Sequence, residues 1–410
     1  MGQGPQGLPT EEPTPRATAL TLLRGGKTVR KWRLKGLPAR ARGRQCSSSP
    51  IAPASEEENH GLAPLAQKND KIPALDGLRG ISIGLVLLAH LSGTRDVATS
   101  ARLPDLDSLG NLGVRIFFVI SGFLITLLLL QERAATGRIS LPRFYLRRGV
   151  RIFPAAYLYM GLLFSAGALG LVELAPWDRL HSLTYTVNYH HLRSWYVSHL
   201  WSLSVEEQFY LLWPAVLLLF GTRRGLWLAF ALVVAAPLIR MGIWAFWPAR
   251  RIEIGEAFTT IGDAIATGCL LAGVRERLGR SERYLRFLRS PGFAAVPLAV
   301  VAANAFQHYP VIDFLAGQTV MNVAIALTID RCVRVSGDWV RRLLDSRVLA
   351  GMGVLSYSLY LWQEPFCNRF ARFDVTLFPF NLMLTFLAAA ASHYLVERPL
   401  MQLRQRLRRG

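Results

Sequence analysis

Leu112-Gly-Val-Arg-Ile-Phe-Phe-Val-Ile-Ser-Gly-Phe-Leu-Ile-Thr-Leu-Leu-Leu-Leu130 is nineteen residues long and carries one charge. About 20 predominantly apolar residues in a helix cross the hydrocarbon of a bilayer. Stretches of this kind recur at Leu75–Leu91, Ile152–Leu174, Leu200–Phe220, Leu226–Trp247, Ala257–Val274, Gly292–Phe306, Val311–Ile329, Val348–Phe366 and Phe378–Val396. Ten stretches predict an all-α polytopic membrane protein.

The charge agrees with this reading. The 410 residues are 51% hydrophobic, yet 47 are basic and 27 acidic, a net charge of +20. Charged residues make up 18%, below the roughly 25% of soluble domains. Disorder throughout is excluded. A basic face for nucleic acid would gather the charge on one domain, but here it alternates with the apolar stretches. With the N-terminus inside, the inner loops and the C-terminal tail hold 24 Lys/Arg and the outer loops 8. That is the positive-inside bias, and it predicts ten spans with both termini cytoplasmic.

Three segments are expected: a basic, disordered tail over residues 1–70, a membrane domain over 71–400 and a short basic cytoplasmic tail over 401–410. Residues 1–50 carry ten basic and two acidic residues and no long apolar run, so no secretory signal is read there. Gln6 breaks the myristoylation pattern after Gly2. The four cysteines, Cys46, Cys269, Cys332 and Cys367, lack metal-type spacing and read as free packing thiols.

Ionisable groups inside spans are costly and point to function. In Ile72-Pro-Ala-Leu-Asp-Gly-Leu-Arg-Gly-Ile-Ser-Ile-Gly-Leu-Val-Leu-Leu-Ala-His90, Arg79 and His90 are eleven residues apart. A helix places them on one face, about 16 Å apart along the axis. Asp76 lies one turn before Arg79 and can pair with it. Snorkelling of Arg79 and a structural hydrogen bond from His90 explain the same residues equally well.

Arg148 and Arg151, three apart after Ser140-Leu-Pro142, present two guanidiniums that suit a polyphosphate or serve as a topology anchor. In His199-Leu-Trp-Ser-Leu-Ser-Val-Glu-Glu-Gln-Phe-Tyr210, the residues Ser202, Glu206 and Tyr210 share a face, with Glu207 about 100° away. A buried Glu206 needs a partner, and His90 or an arginine is the candidate. Arg115, Arg240, Asp263, Asn322, His393 and Glu364 read as structural polar contacts.

These segments resemble, in order, the acyltransferase-three family of integral-membrane O-acyltransferases. The resemblance runs from Leu75-Asp-Gly-Leu-Arg79 to His90, then Phe117–Thr126, Phe144–Pro154, Trp201–Tyr210 and Ser356–Trp362. It implies ten membrane helices, an acyl-CoA donor, commonly acetyl-CoA, on the cytoplasmic side, and transfer to a hydroxyl of a carbohydrate or glycolipid. It places Arg79 and His90 in the active site, assigns Arg148 and Arg151 to acyl-CoA and matches Glu206 to a family glutamate. Many relatives have His where Gln363 stands. Some carry an extracytoplasmic hydrolase-like domain, and this chain reads as the form without it.

The expected mechanism has His90 as general base, with Glu206 orienting it or holding its proton. Arg148 and Arg151 grip the CoA phosphates and Arg79 sits near the thioester. Ser202 and Tyr210 support. No metal, no permanently bound cofactor and no nucleic-acid partner are expected, and the location is a bacterial inner membrane. The rival reading is a transporter or flippase of a lipid-linked sugar or anionic substrate.

Overall fold

The computed structural model describes residues 72–94, 106–371 and 374–407. The expected tail at 1–70 and Cys46 lie outside them. Among the described residues every regular element is helical. The long helices are α1 (Pro73–Ser92), α2 (Leu106–Thr136), α3 (Leu141–Ala168), α4 (Leu200–Phe246), α5 (Phe258–Gly279), α6 (Gln318–Arg334), α7 (Arg347–Phe366), α8 (Phe380–Ser392) and α9 (Arg398–Leu407).

Proline starts two of these helices where its missing N–H costs nothing, at Pro73 in α1 and Pro142 in α3. Ser140 occupies the N-cap position of α3 with extended backbone, but its side chain makes no cap bond. Its backbone N–H instead donates to Glu132 at 3.3 Å, and Glu132 also pairs with Arg147 at 2.8 Å.

Among the described residues six helices are long and apolar enough to cross a membrane, or seven if the bent pair Glu282–Arg289 and Pro291–His308 is one span. The α4 element contains two of the ten apolar stretches. Gly221 divides them with φ 76° and ψ 167°, a conformation open to glycine. The chain reverses there, because Gly225 packs against the side chain of Leu217. Eight residues along one straight helix would separate them by about 12 Å. Along α4, Leu211, Leu219, Trp227 and Leu238 are more than half exposed, an apolar surface that suits lipid.

α1 is the centre of the bundle, packed between α2 and α7. Ile83 on α1 and Val119, Ile120 and Phe123 on α2 are completely buried. The α1–α7 crossing is backbone on backbone. A Cβ at Gly353 would collide with the Asp76 carbonyl, and small residues permit such approach between membrane helices. Because α1 carries Arg79 and His90 and α7 carries Tyr360 and Glu364, this contact sets the spacing of the site. Gly353→Val should destabilise the detergent-solubilised protein by at least the ~1–3 kcal/mol of an overpacked core. A thermal unfolding midpoint equal to wild type would show that the two helices can separate freely.

Candidate active site

Two cavities lie back to back, both bounded by α1, α2, α4 and α7, and the second also by α3. The larger, about 270 Å³, is lined by His90, His199, Glu364, Trp195, Asp107 and Arg369, among others. The smaller, about 100 Å³, is lined by Arg79, Arg148, Arg151, Ser121, Glu206 and Ser202, among others. Val114 and Tyr360 line both. They are called here the histidine chamber and the arginine chamber.

In the arginine chamber, Arg79 Nη1 pairs with Asp76 Oδ1 at 3.3 Å, one helical turn away. Arg148 holds its guanidinium over the Tyr210 ring, 3.7 Å from the centroid, a cation–π contact. Its buried Nε has no hydrogen-bond partner. Glu206 accepts a 2.7 Å bond from Ser121 Oγ. The structure therefore brings together Arg79, Arg148, Arg151, Ser202 and Glu206, with Tyr210 behind Arg148. Three guanidiniums against two carboxylates leave a net positive pocket with unused donors.

In the histidine chamber, His90 Nδ1 lies 2.9 Å from the Val86 carbonyl oxygen. A carbonyl only accepts, so this nitrogen carries the hydrogen. The other nitrogen, Nε2, faces Glu364 Oε1 at 3.4 Å. Glu364 is buried, and its backbone carbonyl accepts a 3.1 Å bond from Trp195 Nε1. The edge of Trp195 meets the His90 ring at 5.8 Å between centroids. An imidazole beside a buried carboxylate can take a proton and have the resulting cation stabilised.

The sequence predicts His90 or an arginine as the partner of Glu206, with Glu206 orienting His90 or holding its proton. In the structure the carboxylate that faces His90 is Glu364. Glu206 points to Ser121 in the other chamber, because its face of α4 meets α2 and not the far end of α1. From sequence Glu364 reads as a structural contact. The only sequence signal for it was a carboxylate closing the Ser356–Trp362 segment, next to Gln363. His199 opened a quoted motif without being singled out, and Trp195, Asp107 and Arg369 carried no signal.

The segment before α4 positions Trp195 and His199. Asp178, completely buried, accepts backbone N–H bonds from Ala175 at 2.8 Å and Ser194 at 3.2 Å. His190 Nε2 lies 3.1 Å from its Oδ1. His181 stacks on His190 at 4.6 Å, and burial together with that neighbour holds His190 below the ordinary imidazole range. Arg193 forks onto Glu256 at 2.7 and 2.5 Å. This knot delivers the chain into the short turn Trp195–Ser198.

Three further buried polar clusters line neither chamber. Arg240 pairs with Asp263 at 3.0 Å, Arg115 donates to Gln318 and Asn322, and His393 meets Glu397 at 3.2 Å. Cys269, Cys332 and Cys367 are buried free thiols.

A family model described as an acyltransferase domain matches residues 72–396. The chain belongs to this acyltransferase family. The match covers every residue lining either chamber. Among curated proteins, the family member is 28% identical to a putative peptidoglycan O-acetyltransferase, YrhL, of Bacillus subtilis, over 73% of this chain and 49% of that protein. It is 26% identical to the O-acetyltransferase OatA of Staphylococcus aureus, over 80% of this chain and 57% of the relative. The chain thus spans about half the length of these relatives. No solved structure matches it.

Proposed function

We propose that this acyltransferase-family chain is a membrane-embedded O-acetyltransferase that works across its two chambers. The observation that carries the reading is their division of labour. Three arginines line one chamber, His90 and Glu364 line the other, and Tyr360 and Val114 form the partition. Acetyl-CoA is the donor, with its phosphates on Arg148 and Arg151 and its thioester towards Arg79 and Glu206. Guanidiniums bind phosphates through charge-assisted, bidentate bonds. The acceptor is a carbohydrate hydroxyl of the cell envelope in the histidine chamber, where Trp195 and Trp201 offer flat apolar faces beside polar groups. The Bacillus subtilis relative named as a putative peptidoglycan O-acetyltransferase supports this acceptor class.

The reaction needs a proton moved and a thioester carbonyl reached. His90 Nε2 takes the acceptor proton, the alkoxide attacks the acetyl carbonyl, the C–S bond breaks and the proton returns to the CoA sulfur. Ten spans with both ends cytoplasmic, in a bacterial cell membrane, put the arginine chamber on the side where acetyl-CoA is made. Purified protein given acetyl-CoA should release free CoA, with water as a slow acceptor. A transporter of a lipid-linked sugar would release none, and that result would remove the acetyltransferase reading.

A further inference from the structure

The histidine chamber carries one cation that the reaction above leaves unused. Arg369, just past the end of α7, is the single arginine or lysine among the described residues that line it. The three arginines assigned to the donor all line the other chamber. Arg369 Nη2 donates to Asp107 Oδ1 at 2.9 Å and its Nη1 to Oδ2 at 3.4 Å, so the fork grips a carboxylate with both arms. Asp107 comes from the first turn of α2. The Arg369 side chain is 27% exposed and that of Asp107 70%. The pair therefore stands at the solvent edge of the chamber. An ion pair so placed contributes little to stability, and replacing its carboxylate by another costs little.

The arginine is held more firmly than the aspartate. Its guanidinium carbon lies over the Trp195 ring, 5.4 Å from the centroid. On its other side the guanidinium lies against Gly93, the C-cap of α1, where a Cβ would come within 2.7 Å of Nε. That Nε is buried and has no hydrogen-bond partner among the described residues. The turn that carries Arg369 is itself fixed, since Asn368 Oδ1 accepts the backbone N–H groups of Phe370 at 2.9 Å and Ala371 at 3.2 Å. Trp195 also meets the His90 ring, at 5.8 Å between centroids. One aromatic side chain thus touches both the arginine and the histidine. A sugar ring resting there can present a hydroxyl to His90 Nε2 and a second group to Arg369.

We infer that Arg369 is a specificity-determining residue that binds a carboxylate of the acceptor, with Asp107 holding the place until the acceptor enters. The acceptor class is then an acidic carbohydrate, one that carries a carboxylate within a sugar ring of the hydroxyl to be acylated. A guanidinium also forks phosphate, but the group that fills this fork is a carboxylate, and the acceptor replaces like with like. No covalent bond at Arg369 is made or broken, and Asp107 turns into water as the acceptor's acid takes its position. The inference rests on the reading of the histidine chamber as the acceptor site and names the chemistry of that acceptor.

The test uses the whole chain in detergent, without acetyl-CoA. Three methyl glycosides that differ only at carbon 6 are the probes: the glucuronide with a carboxylate, the glucoside with an alcohol and the glucoside 6-phosphate. Saturation-transfer NMR titrations read their affinities. Wild type should bind the glucuronide about tenfold more tightly than the glucoside, the effect of one charge-assisted contact, and more tightly than the 6-phosphate. Arg369→Gln, which keeps N–H donors without the charge, should bring the affinities for glucuronide and glucoside together. Asp107→Asn removes the resident carboxylate and should tighten the glucuronide about threefold. A pair that only braces the fold predicts instead that each variant moves the acid and the neutral sugar alike. Equal wild-type affinities for glucuronide and glucoside, no binding of either, a preference that survives Arg369→Gln, or an Asp107→Asn variant that binds the glucuronide no better each overturn the inference. Tighter binding of the 6-phosphate overturns the carboxylate and assigns the fork to phosphate. Absence of CoA release once acetyl-CoA is added would instead count against the acetyltransferase reading and leave the binding result standing.

Discussion

His90→Ala should lower acetyl-CoA-dependent CoA release about 10²- to 10⁴-fold, the span expected when a positioned general base is removed. The donor KM should not change, because His90 lines the chamber opposite the three arginines. The geometry also names the working atom. Nδ1 is held by the Val86 carbonyl, so Nε2 is the nitrogen left to accept a proton, 3.4 Å from the carboxylate that would stabilise the imidazolium. His90→Gln tests this more sharply than alanine. A glutamine can fill the site and hydrogen-bond to Glu364, yet it cannot take a proton, so its loss should match that of alanine. Retained activity within threefold of wild type, in either variant of normal monodispersity, would falsify the assignment of His90 as base.

Much of this site was legible in the chain before its fold was known. Arg79 and His90 stand out because each is an ionisable group in an apolar run, and their spacing puts them on one face of α1. The pattern Ser202, Glu206, Tyr210 correctly predicts one face, which meets the arginines. What the pattern could not give is which end of α1 that face would meet. Contacts between α1 and α7 join residues far apart in sequence, and the crossing that brings His90 to Glu364 depends on backbone contact at Gly353. Periodicity carries no information about such a pairing. For the fold, hydropathy located the helices well. It missed how the chain turns between them, so that Leu200–Phe246 holds two stretches with a glycine reversal between them.

Removing Arg148 and Arg151 together should raise the apparent KM for acetyl-CoA by about 10²- to 10⁴-fold. A hydrogen bond to a charged group contributes about 1.5–3 kcal/mol, and each 1.4 kcal/mol is about tenfold in affinity. The turnover of the donor that does bind should change much less, since neither arginine lines the chamber of His90. Arg148 has a second constraint that Arg151 lacks. Its guanidinium carbon sits over the Tyr210 ring, 3.7 Å from the centroid, which holds the group in place before the phosphate arrives. Lysine keeps the charge but lacks the planar guanidinium. Arg148→Lys should therefore recover only part of the loss, and Tyr210→Leu should weaken donor binding even though it removes no charge. Rising salt should weaken donor binding in wild type and less so in the double variant, because fewer charges then remain to be screened. The alternative role of the pair, as a cytoplasmic anchor, predicts something else. The double variant would keep its donor KM in correctly inserted molecules, and a fraction of the chains would insert with α3 inverted. Thiol labelling of single cysteines placed in the loops on either side of α3 measures that fraction, and an unchanged KM together with inverted chains would assign the arginines to topology.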